Sequence, residues 1–181
     1  MITRILLTIT LALCAGLFSQ ALAQHRDHLT AQEVDLVKEA QVLDKRVEVF
    51  IKAADRRLMV INNSAGANAK QLKKDSERWG ELPAGSRAEL VADIARILDE
   101  AITNIDDVSA RDERNPLIGK SLRKLAAAVN TIMGQLKPLS AEAKSDAEIA
   151  SFELLNEDAQ SILEAATRLP PEVEKKAKKN K

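Results

Sequence analysis

Two histidines stand three residues apart in His25-Arg26-Asp27-His28, and they are the only histidines in the 181-residue chain. On a helix, residues i and i+3 share a face, so both imidazoles could reach one metal ion, and zinc or copper suits nitrogen ligands. Asp27 raises the donors to three, one short of the four in a closed site. His25 and His28 are therefore the candidate metal ligands, with a solvated N-terminal segment as the competing reading. Trp79 is the only tryptophan, in the basic stretch Lys73-Lys74-Asp75-Ser76-Glu77-Arg78-Trp79. Trp and Arg often anchor interfaces, which makes Trp79, Arg78, Lys73 and Lys74 candidate partner contacts. The alternative folds Trp79 back over one end of the helices, beside Leu72 and Leu82.

Other chemistries find less support. Covalent haem needs Cys-x-x-Cys-His, which is absent, and Met59 and Met133 lie off the apolar stripes where an axial ligand would sit. A di-metal bundle needs Glu-x-x-His on facing helices, and a nucleotide site needs a glycine-rich loop; the chain has neither. Asp99-Glu100 and Asp106-Asp107 read as a solvated face. The expectation is a non-enzyme with no cofactor.

The elements that carry these residues follow an N-terminal address. Arg4 precedes an apolar run from Ile5 to Phe18, and Ala21 and Ala23 are small residues where a signal peptidase reads. Residues 1–23 are expected to be a cleaved secretory signal, placing the protein in the periplasm or outside the cell. Cys14, the only cysteine, lies in that signal behind Leu13, where a lipoprotein signal has a small residue. A mature chain from residue 24 has 158 residues, no cysteine, and 26 basic against 27 acidic residues, for a net charge of −1. That excludes a disulfide framework and a Cys nucleophile, and it gives no field to attract nucleic acid.

Leu, Ala, Ile and Val must build the core, which favours helices. A capping box, Thr30-x-x-Glu33, opens a stripe through Leu36, Ala40, Leu43, Val47, Phe50, Ala54, Leu58 and Ile61, read as one helix over 31–61. A long connection over 64–85 follows, with a short helix over 68–78. Ser86-x-x-Glu89 opens a helix over 86–108, and Asn115-Pro116 opens one over 116–137 that Pro138 stops. Ser140 caps the last helix, whose stripe through Ala143, Ala147, Ala150 and Leu154 slips one residue to Leu155, Ala159 and Ile162. Segment 24–30 precedes the helical domain, 31–169, and a Lys-rich disordered tail, 170–181, follows it.

The predicted fold is all-α: an antiparallel four-helix bundle with a long first helix and a long first connection. The helix over 116–137 is basic, net +4, between helices of net −4 and −5, a pattern expected to select neighbours.

Leu29-Thr30-Ala31-Gln32 resembles the Leu-Thr-x-x-Gln signature of small exported helical stress chaperones of the Spy and CpxP type. Glu33 stands at the fifth position in place of Gln, and the resemblance spans five residues in one copy. It implies an envelope-stress or chaperone-like role. The expectation is therefore an exported non-enzymatic bundle acting on an unidentified protein partner, without nucleic acid or a membrane-spanning segment. Homodimerisation through the long first helix is open to it, and a metal-binding protein using His25 and His28 is the alternative.

Overall fold

A computed structural model describes residues 27–170. The expected signal, His25 and the lysines of the tail lie outside the described residues. Six helices and no strand occur among the described residues: α1 (Ala31–Glu39), α2 (Leu43–Ile61), α3 (Ala69–Trp79), α4 (Arg87–Arg111), α5 (Pro116–Ala141) and α6 (Asp146–Thr167). The all-helical class agrees with the sequence, and the arrangement is compatible with a helical bundle; six helices stand where four were expected.

Start signals act as their chemistry requires. The Thr30 and Ser86 side chains each accept a hydrogen bond from the backbone N–H of Glu33 and Glu89, and each glutamate reaches back to the cap N–H. Asn115 caps α5 through the Leu117 N–H, with Pro116 at the first helical position.

The long first helix is two helices. The chain leaves α1 at Ala40 (φ −76°, ψ 82°) and starts α2 from an extended Val42 (φ −91°, ψ 129°). Arg46 Nε donates to the Ala40 carbonyl at 2.9 Å, and Gln41 Nε2 to that of Lys38 at 2.6 Å. The cause is burial of charge further along. Glu33 Oε1 accepts from Arg57 Nη1 at 2.7 Å, a residue 24 positions away. In one straight helix the two would be about 36 Å apart. Only a chain that folds back can join them.

Two further boundaries differ. Pro138 lies inside α5, which runs to Ala141. A proline within a turn of the helix end removes a single backbone bond, and the carbonyl its ring must clear belongs to exposed Gly134. The cap of α6 is Ser145, which accepts from the Glu148 N–H, rather than Ser140.

The core gathers α2, α4, α5 and α6. α2 packs on α4 and α5, α6 packs on α4 and α5, and α4 also meets α5; α1 packs on α2 and α3. Phe50, Ile94, Ile97, Leu125, Ile132 and Ile162 are fully buried there. Leu169 lies against Gly119, and Arg123 donates to the Pro170 carbonyl, so α6 runs back along α5. No helix among the described residues is long and apolar enough to cross a membrane.

Candidate functional site

Two places in the fold are unusual. The first is a buried charge cluster that joins α1, α2 and α3. Glu33, Arg56, Arg57 and Asp93 are each at most 2% exposed. Burying an ion is unfavourable unless it is paired and hydrogen-bonded, and nearly every group here is. Glu33 Oε1 accepts from Arg56 Nε at 3.2 Å as well as from Arg57. Arg56 Nη2 donates to the carbonyls of Trp79, Gly80 and Glu81 at 3.0, 3.2 and 2.5 Å. It thereby satisfies the orphan carbonyls at the end of α3. Arg57 Nη2 donates to the His28 carbonyl at 2.6 Å, and Arg57 Nε lies 3.9 Å from Asp93 Oδ2. Desolvation is the largest influence on Arg56 and lowers its pKa, with Glu33 opposing.

His28 is held by its ring as well, with Nε2 2.8 Å from Glu100 Oε2 of α4. This half-buried pair fixes the N-terminal segment to the core. Among the described residues, no group of three or more His, Cys, Asp or Glu is placed to hold a metal ion.

Trp79 closes the cluster. It is 6% exposed, with Lys52 Nζ 4.7 Å and the Arg56 guanidinium 5.7 Å from the ring centroid. Both are cation–π distances. Lys52 also pairs with Asp75 at 2.5 Å. Arg78, Lys73 and Lys74 are exposed. Arg78 and Trp79 share a groove of about 550 Å³ with Glu39, Lys45, Glu48 and Lys52, which Lys73 and Lys74 do not line. Gly80 follows with φ +66°, and a Cβ there would lie 3.0 Å from the Gln32 side chain. Glycine is required at that point by both its conformation and the approach of α1.

The cluster was hidden in the sequence by a second role. Glu33 is fully accounted for as the capping-box glutamate, which says nothing of burial. The available signal was Arg57. It falls three residues after Ala54 and four before Ile61, in register with the buried stripe, where an arginine demands a buried partner.

The second place is an open apolar groove of about 580 Å³ between α5 and α6, lined by Met133, Leu136, Ala143, Ile149, Phe152 and Leu155 and edged by Lys137 and Glu153. The face of α6 that packs on the core differs in part from the one expected. On α6 the second half of the expected stripe, Leu155, Ala159 and Ile162, is buried, while in the first half Ala147, Ala150 and Leu154 are exposed and Ser151 is buried instead. In that first half the buried side is turned by one residue, about 100°. Ile149 is 42% and Leu154 37% exposed.

Charges link the helices in an unexpected pairing. Lys120 donates to Asp44 at 2.6 Å and Lys124 to Glu48, so basic α5 binds α2. The acidic helices that flank it in sequence are joined to each other, Arg87 of α4 pairing with Glu148 of α6 at 2.6 Å. The hydrogen bonds from these cations hold Asp44, Glu48 and Glu148 below the usual carboxylate range. Asp158 of α6 moves the other way. Burial, then Asp99 of α4, then Glu157 push it up to about 6. Comparison with known proteins returns no matching family model, no matching curated protein and no matching solved structure.

Proposed function

We propose that this chain is an exported, non-enzymatic helical-bundle protein that acts through protein contacts, as an adaptor, a chaperone-like protein or a structural component of a bacterial envelope. The α5–α6 groove carries the reading. Ile149, one of the three large apolar side chains exposed among the described residues, lines it. An open apolar groove with an exposed apolar side chain in its lining is what a protein contact surface presents to its partner. The leader-like residues 1–23 support export. In this reading α2, α4, α5 and α6 form the antiparallel bundle, while α1 and α3 are fastened to it by Arg56 and Arg57.

The test places a photo-crosslinking residue at 149 or at 137, on the two sides of the groove, in the exporting host, with Asp106 as an exposed control. Protein adducts form from 149 and 137 and not from 106. Their absence at both positions overturns the reading.

Metal binding through His25 and His28 is the competing proposal. The Glu100 carboxylate beside His28 Nε2 favours it, because it supplies an oxygen donor next to the imidazole. Native mass spectrometry of chain purified without chelator separates the two, since a mass increment of one metal ion that His28→Ala abolishes replaces the contact reading.

A further inference from the structure

We propose that α3 docks the molecule on an anionic lipid bilayer, its outward face lying against the phosphate headgroups.

The charges of α3 are divided between its two sides. Successive helical residues turn by about 100°. Leu72, Asp75 and Trp79 therefore share one side, while Lys70, Lys73, Lys74, Glu77 and Arg78 share the other. The inner side is the fastened one. Trp79 is buried, Asp75 pairs with Lys52 of α2, and Arg56 holds the carbonyl groups at the helix end. The five residues of the outer side are all exposed. None of its four cations has an ion-pair partner among the described residues. Lys70, Lys74 and Arg78 also follow one another at i, i+4, where like charges destabilise a helix. Asn68 gives α3 no side-chain cap to offset this. Water leaves that conflict standing, and an opposite charge outside the helix removes it.

Charge elsewhere fixes the orientation. α2 and α6 each pack on α4 and α5 and not on each other, so α3, tied to α2, lies across the molecule from α6. α6 holds six acidic residues and no basic one between Asp146 and Thr167. A negative surface therefore attracts the side that carries α3 and repels the side that carries α6. Docked in this way, the chain turns its α5–α6 groove away from the bilayer. The face suits a bilayer better than nucleic acid. Lys70 to Arg78 covers about 12 Å along one side of a straight helix, a patch that a flat surface can meet at every cation. Surfaces that bind single strands offer aromatic rings for bases to stack on, and the aromatic ring of α3, Trp79, is buried.

Flotation with lipid vesicles, using chain purified from an exporting host, tests the proposal. Vesicles of phosphatidylcholine mixed with phosphatidylglycerol carry the chain at low salt, and vesicles of phosphatidylcholine alone do not. Salt at about 1 M releases it, because the screening length falls to about 3 Å. Each cation near an anionic surface adds about fivefold to the partition, so Lys70→Gln, Lys73→Gln and Lys74→Gln together weaken it about a hundredfold. The same changes at Lys175, Lys176 and Lys178, which lie outside the described residues, leave binding in place. Glu77→Gln removes the acid from the face and strengthens binding about fivefold, a gain that a folding defect cannot produce. Equal recovery with both kinds of vesicle overturns the proposal, as does binding that survives the three changes on α3. Salt-sensitive binding to a DNA strand without recovery on vesicles also overturns it and assigns the face to nucleic acid.

Discussion

Oε2 of Glu33 accepts from the Thr30 backbone N–H at 2.9 Å, and Oε1 accepts from Arg56 and Arg57. One carboxylate therefore closes the first helix cap and neutralises two buried guanidinium groups. Replacing it with Gln keeps the shape and the cap geometry but leaves two buried cations short of a counter-charge. Loss of one partner from a buried ionic cluster costs about 3–5 kcal/mol. Glu33→Gln should lower stability by that amount in urea denaturation, and an effect below about 1 kcal/mol, typical of an exposed ion pair, would show that the carboxylate is not buried in solution. The arginines also differ in task. Arg56 serves the carbonyls ending α3, whereas Arg57 serves the N-terminal segment through His28.

Helix boundaries record where local chemistry and packing agree. The caps at Thr30, Ser86 and Asn115 were legible because each satisfies its own backbone within a few residues. The turn at Ala40–Val42 was not, since no Gly or Pro marks it and the apolar spacing continues across it. Its stabilising bond comes from Arg46, a long side chain with many other options. The start of α6 was misplaced because Ser140 and Ser145 are both competent caps. The choice depends on how far α5 continues past Pro138. Two helices start without a side-chain cap, α3 at Asn68 and α2 at Val42. Val42 sits at the cap of α2 with extended dihedrals, is 50% exposed, and has no side-chain oxygen to offer. Val42→Ser should raise stability by about 1 kcal/mol, read as an increased urea midpoint with an unchanged slope. A decrease would show that the valine packs against something at that turn.

Across the whole molecule the ionisable groups oppose one another as pH changes. Asp44, Glu48 and Glu148 have depressed pKa values, so their stabilisation is present above their unfolded values, 3.8 to 4.5, and is lost as pH falls through the folded ones. Asp158 is raised to about 6, so its contribution is complete below 3.8 and is lost as pH rises through about 6. From these groups stability should therefore peak near pH 4 to 4.5 and decline as pH rises to about 6. Asp158→Asn should raise Tm by a few degrees near pH 7.5, on the order of 1 kcal/mol after allowance for its partial exposure, and change it little below about pH 4. Equal shifts at both pH values would exclude titration of Asp158 as the cause. The candidate site was less legible than the fold for a related reason. Trp79 stood out by rarity, yet the ring is stacked among Lys52 and Arg56, while Ile149, which lines the groove, falls outside the apolar stripe read on its helix. Periodicity identifies an apolar face without saying which neighbour covers it. The Glu33 cluster has a further consequence, for local opening. α1 has only nine residues, too few to hold helical structure alone in water. Lifting it away would strip Arg56 and Arg57 of their carboxylate and free the end of α3 from its orientation. In amide hydrogen exchange the three helices α1, α2 and α3 consequently form one cooperative opening unit, and a peripheral nine-residue helix inherits the protection of the core it is tied to.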